Sequence, residues 1–416
     1  MTSSPRSPLG KRYWLLLTAY VVSNVGTWIY RLTLPLLVLH LTGSALQTAA
    51  LYALEYGPFL LLSLPGGVWA DRFDRKRLLI GGDVTAGVIA LALAILVSAG
   101  SAALPAIYVL AFLLACVEPV YHPAFQGLLP SIVADSELDR ANALMQSSDQ
   151  IISLAGPVLA GGLVTLFGYS TAIYIDAASF AGSALVLLFL KHGREIAETA
   201  PAERGGFAGD LAEAFRYIVR ENRLLLVGSL LFTGTNFGIW LIQANLVYYL
   251  STYLSLSSAL VGVVFAAQGV GALGGALVAP AVIRRLGNGR TIVCSTMAAG
   301  LLTGLLVVFR DVVGVSVVSA AVFALGSMNV VSWFTLRQRI VPRAMLGRVV
   351  AATRMLAFSS IPLASLVAGA AEDALHDMYL VILAGAALRF LVGFAGSRTS
   401  LVRSRAGTTV EEPAPS

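Results

Sequence analysis

The chain has 416 residues, of which 57% are hydrophobic and only 12% charged, with a mean hydropathy of +0.81. No soluble surface can be built from that mixture, so a cytosolic globular protein is excluded and an integral membrane protein is required. The 28 Lys and Arg against 22 Asp and Glu give a net charge of +6, but no basic patch is interleaved with aromatic residues, which argues against a nucleic-acid partner.

A hydrocarbon core about 30 Å thick takes roughly 20 apolar residues per helix. Twelve such runs follow one another, at 13–39, 47–70, 78–98, 104–128, 142–167, 171–191, 223–250, 256–282, 291–309, 314–336, 348–370 and 377–395. They are continuous rather than alternating, which predicts helices and not barrel strands. Arg6, Lys11 and Arg12 precede a first run longer than a secretory signal core, so it reads as a retained helix. Arg31 in span 1 and Glu55 in span 2 lie at similar depth and are expected to pair. The pair is either part of proton coupling or a salt bridge that lets both residues insert.

Between spans 2 and 3 sits the cassette GGVWADRFDRKR, Gly66 to Arg77, with two acids and four bases. Gly66 and Gly67 let another helix approach the backbone closely. Asp71 can accept from Arg75 and face the positive N-terminus of a neighbouring helix. Two readings stand: a conformational latch built on Gly67, Asp71, Arg72, Arg75 and Lys76, or a basic turn that only fixes topology.

Span 4 contains LLACVEPVYHP, with Glu118 near its middle and Pro119 and Pro123 loosening the backbone ladder. Glu118 is the leading proton-carrier candidate, the alternative being a structural carboxylate bonded to a neighbouring helix. His122 is either a relay one turn later or a packing residue. Asp149 in span 5 is a further proton-coupling candidate, better read as gating or cavity polarity, and Asp176 in span 6 reads as a structural acid at headgroup level. Cys116 and Cys294 fall inside spans, so neither a disulfide nor a metal site is indicated.

The loop 192–222 starts polar (ETAPAERGG) and turns amphipathic, with Phe207, Leu211, Phe215 and Ile218 at helical spacing, as expected of a helix on the inner leaflet. It divides an N-terminal six-helix bundle (1–191) from a C-terminal one (223–396), followed by a disordered tail (397–416). Gln126 and Pro130 in QGLLP are spaced like Gln338 and Pro342 in QRIVP, as a duplicated six-helix unit requires. From Leu224 to Phe394 the only acids are Asp311, Glu372, Asp373 and Asp377, in or beside outer loops. The second half offers instead Asn236, Trp240, Gln243, Asn245, Gln268, Asn329 and Trp333. Those amides and aromatic faces suit an amphipathic organic substrate, or simply bond and pack between helices.

With a cytoplasmic N-terminus, about 24 of the 28 Lys and Arg fall in cytoplasmic segments, three lie within spans and only Arg310 is outside, an asymmetry that predicts both termini inside. There is no GxxxxGK loop, no HExxH and no GxSxG, so the chain reads as neither an enzyme nor an ATP-driven pump.

The stretches TGSALQTAALYALEYGPFLLLSLPGGVWADRFDRKRLLI, YHPAFQGLLPSIVADSELDRANAL, GPVLAGG and YIDAASF resemble the branch of the major facilitator superfamily that contains macrolide and multidrug efflux proteins and a siderophore exporter. The resemblance implies an all-α membrane fold of two pseudo-symmetric six-helix bundles, a central cavity and alternating access. It makes span 11, near Gly347 and Arg348, the neighbour of the latch. Gly156, Pro157 and Gly161 match the antiporter motif of span 5, although Ala160 stands where glycine is commoner, and Asp74 replaces a glycine of the loop signature. The expected function is export of small amphipathic organic compounds by a lipid-embedded, monomeric, cofactor-free proton antiporter. The alternatives are an exporter of one metabolite such as a siderophore, a lysophospholipid transporter, and a sensor or scaffold that does not transport.

Overall fold

The structure is a computed structural model that describes residues 9–100, 103–134, 137–190, 207–342 and 345–403. The helices are α1 (Lys11–Thr42), α2 (Ala45–Arg72), α3 (Arg75–Ser98), α4 (Leu104–Ala115), α5 (Glu118–Ile132), α6 (Leu138–Leu188), α7 (Phe207–Arg216), α8 (Arg223–Gln243), α9 (Leu246–Tyr248), α10 (Ser258–Leu286), α11 (Asn288–Gly304), α12 (Val312–Ile340), α13 (Leu346–Leu375) and α14 (Met378–Ser397). Among the described residues, ten helical segments are long and apolar enough to cross a membrane. Two differences account for the twelve runs of the sequence. Spans 5 and 6 are both contained in α6, where the chain turns at Gly168 with φ 81° and ψ 172°, a conformation that glycine alone adopts without strain. Span 2 is α2, which is not among those ten and carries two internal prolines and a charged end.

Span 4 is two helices rather than one. The ladder stops after Ala115 and restarts at Glu118, because Pro119 has no N–H to donate and its ring disfavours a continuous helix. Span 7 is likewise interrupted: α8 ends at Gln243, and a π-helical turn, Tyr249–Tyr253, follows the short α9.

The chain forms two compact units. The first comprises residues 1–42, 54–201 and 257–266, the second 43–53, 202–256 and 267–416. In the first, Tyr13, Leu16, Leu79, Phe125, Leu128 and Leu187 join α1, α3, α5 and α6 in one apolar cluster. Tyr13 can be buried there because its hydroxyl donates to the Ala141 carbonyl at 2.9 Å. In the second, Ile218, Leu225, Ile292, Trp333, Leu336 and Val349 form the corresponding cluster. The amphipathic segment of the long loop is α7, whose Glu213 pairs with Arg348 at 2.8 Å. The tail beyond Arg403 and the polar start of that loop lie outside the described residues.

Candidate functional site: a polar stripe in the first unit and paired cavities in the second

Tyr20, Asn24, Trp28 and Arg31 recur every three or four residues, so they lie on one face of α1. That face looks onto α6. Tyr20 donates to Asp149 Oδ1 at 2.6 Å and Asn24 Nδ2 donates to the same oxygen at 2.7 Å. Two turns further along α6, Gly156 packs against Trp28: a Cβ there would sit 2.5 Å from Trp28 Cβ. The motif glycine thus makes room for the Trp28 side chain three residues before Arg31, whose guanidinium lies 5.5 Å from the Trp28 ring centroid.

Arg31 pairs with Glu118, not with Glu55. Arg31 Nη2 donates to Glu118 Oε2 at 3.1 Å, with the two side chains 39% and 53% exposed. The helix break brings this about, since Glu118 opens α5 and projects from a first turn rather than from the middle of a regular span. Glu55, the partner expected from equal depth, instead has its Oε1 buried without a hydrogen-bond partner. Depth along two helices fixes height in the membrane but not the rotation of each helix. One helical turn later, His122 Nε2 lies 3.1 Å from Gln126 Nε2.

The other motif residues of span 5 meet the start of α10. A Cβ on Gly161 would lie 2.2 Å from the Ser258 carbonyl oxygen, and one on Gly262 would lie 2.3 Å from that of Pro157. Two glycines, one on each helix, permit backbone-to-backbone contact. Ala160 is fully buried.

In the cassette, Gly66 packs against the Pro119 carbonyl, while the surroundings of Gly67 and the side chain of Asp71 lie outside what is described. Arg75 donates from Nη1 to the Gly127 carbonyl at 2.8 Å and from Nε to the Ala70 carbonyl at 3.4 Å. Lys76 Nζ donates to the Leu188 carbonyl at 3.2 Å, and Arg72 is exposed at the end of α2. The bases therefore neutralise helix C-termini. Asp74, where the family pattern has glycine, caps α3 by accepting from Arg77 N at 2.9 Å. Asp74→Ala should lower stability by about 1 kcal/mol, read as a lower melting temperature of the purified protein.

Two buried acids depart from expectation. Asp176 is not exposed to the headgroup region. It is fully buried against Gly26 of α1, and both carboxylate oxygens are without a hydrogen-bond partner. Asp83, which sequence reading passed over, is also buried and accepts from Ser183 Oγ at 2.6 Å. Its signal was an acid nine residues into α3, beyond the reach of the cassette.

In the second unit the candidates divide into four settings. Gln243 and Gln268 hydrogen-bond each other at 3.1 Å and line one small cavity. Asn236 and Asn329 line a second, Asn329 donating to Thr296 Oγ1 at 2.7 Å. Trp240 packs against Tyr52, ring centroids 5.4 Å apart. Trp333 is not a cavity wall but core, stacked on Phe232 and seated on Gly228. Arg389, to which sequence reading gave no role, is a common wall of both cavities.

Residues 16–365 match the family model of the Major Facilitator Superfamily. The chain is 27% identical over 397 residues to the multidrug efflux pump Tap of Mycobacterium bovis, covering 92% of this chain and 91% of that protein. It is 26% identical over 333 residues to the enterobactin exporter EntS of Salmonella typhi, covering 79% and 78%. It is also 26% identical to the uncharacterized MFS-type transporter YfiS of Bacillus subtilis, covering 62% of this chain and 61% of that protein. The fold is similar to the crystal structure of the nucleoside transporter NupG, with a TM-score of 0.74 at 14% identity, covering 95% of this chain and all of that one. A family match across most of the chain, on an all-helical multi-pass membrane scaffold, leaves one conclusion: the protein belongs to the Major Facilitator Superfamily and is a membrane transporter rather than an enzyme.

Proposed function

We propose that this transporter exports amphipathic organic compounds by alternating access and exchanges them for protons. The observation that carries the proposal is the Arg31–Glu118 ion pair at the break between α4 and α5. A carboxylate held by one guanidinium and still partly exposed can release that partner on protonation, and a cationic or polar substrate can compete for it. Asp149 and its two donors on α1 tie the same helix to α6, so a change at Arg31 is transmitted along a rigid element to the Gly161–Ser258 seam. Similarity to a multidrug pump supports outward transport and a broad substrate range. Proton exchange takes its support from the Gly156-Pro157 motif and from the acids Glu55, Glu118 and Asp149 within the spans of the first half.

A second reading, a dedicated exporter of one metabolite, draws on the similarity to an enterobactin exporter. The test is accumulation of a panel of chemically unrelated amphipathic compounds in cells lacking their own pumps, with and without a protonophore. Lower accumulation of several compounds, abolished by the protonophore, is the expected result. An effect on one compound selects the narrow exporter, and unchanged accumulation of the whole panel would remove the polyspecific reading.

A further inference from the structure

Arg389 lies in the apolar middle of α14, and only 2% of it is exposed. Its alkyl stem runs over Gly238 of α8, where a Cβ would sit 2.5 Å from Arg389 Cγ. Nη1 donates to Thr303 Oγ1 of α11 at 3.0 Å, and Nε has no hydrogen-bond partner. A guanidinium in this position normally faces a carboxylate, because a lone charge taken out of water is strongly disfavoured. Among the described residues, no carboxylate pairs with it. No acid lines either cavity beside it. The acid nearest in sequence, Asp377, is twelve residues back along the same helix, about 18 Å at 1.5 Å per residue, and is engaged in capping that helix through the N–H groups of Tyr379 and Leu380.

The charge is also sited for a ligand. It forms part of the wall of both cavities, each with room for about 30 Å³, enough for a small group such as a water, a chloride ion or a carboxylate head. Beside it in the second cavity, the Thr235 hydroxyl is 4% exposed and without a partner. The Gln243–Gln268 amide pair lines the first. A permanent cation, a spare hydroxyl donor and amide dipoles with no competing acid make an anion receptor.

We propose that Arg389 and Thr235 form a binding site for one small monovalent anion inside the second unit, with chloride the inorganic occupant and the carboxylate of a transported compound the other source of the same chemistry. The site is independent of proton exchange at Glu118. The test uses the purified protein in lipid nanodiscs without substrate, comparing sodium chloride, sodium acetate and sodium gluconate at constant ionic strength. Chloride should raise the melting temperature saturably, by roughly 2 to 4 °C, and gluconate, too large for the cavities, should not. Acetate acting in place of chloride would assign the site to a carboxylate. Arg389→Met should abolish the response. If that variant does not fold, Thr235→Val keeps the guanidinium and should shift the half-saturating concentration upward by about tenfold, while chloride-35 line broadening reads binding to the unmodified protein directly. Equal melting temperatures in all three salts, or an anion response that survives both substitutions, would overturn the site.

Discussion

Replacing Glu118 with Gln is expected to reduce substrate-driven proton movement in proteoliposomes to background, a fall of at least about tenfold, while the protein remains folded. Gln keeps the size and an acceptor oxygen but cannot take up or release a proton. It also leaves Arg31 without the carboxylate now 3.1 Å from it. Because that pair is partly exposed, its loss costs less than that of a buried ion pair, so the melting temperature should change little. Glu118→Asp retains a titratable group and should restore part of the flux. A Gln variant with full substrate-dependent proton flux would return Glu118 to a purely structural role and shift attention to Glu55, the other acid expected beside Arg31.

Gly161→Val, and separately Gly262→Val, should reduce transport by roughly tenfold or more, equivalent to about 1.4 kcal/mol between conformations. At each position a Cβ would enter the space of a backbone carbonyl, Ser258 O at 2.2 Å or Pro157 O at 2.3 Å. Backbone cannot rotate aside as a flexible side chain can. The α6–α10 seam must then open, and overpacking of this kind costs about 1 to 3 kcal/mol. The substitution therefore acts on the state in which the seam is closed. The measurement is twofold: substrate flux, and thiol labelling of a single cysteine placed next to the seam. Labelling should rise as flux falls. Normal flux with unchanged labelling would mean that the seam plays no part in the cycle.

Some of these residues were readable without coordinates. Asp149 and Glu118 stood out because a charge inside an apolar run is costly, and hydropathy registers that directly, while Gly156 stood out only through the resemblance to a family motif. The partner of each did not. Equal depth suggested Arg31 with Glu55, whereas the break at Glu118 turned that carboxylate toward Arg31. Asp176 was placed at headgroup level from its position near a span end, yet Gly26 of α1 closes over it completely. Trp333 had the composition of a binding wall and is core, because Gly228 leaves a recess that the indole fills.

Run lengths, composition and local motifs were enough to show that the chain lives in a bilayer, that its spans are helices, roughly where each begins, and which family it resembles. These follow from apolar length and the obligation to satisfy every backbone group within one segment, with local motifs preserved as written. Which charges meet and which stand alone emerged only from how the helices pack. Pairing depends on helix rotation and on breaks of a single turn, and one-dimensional hydropathy averages both away. Arg389 shows this most clearly: as sequence it is one base in an apolar run, and only packing reveals it as a buried cation that lines two cavities whose walls hold no acid.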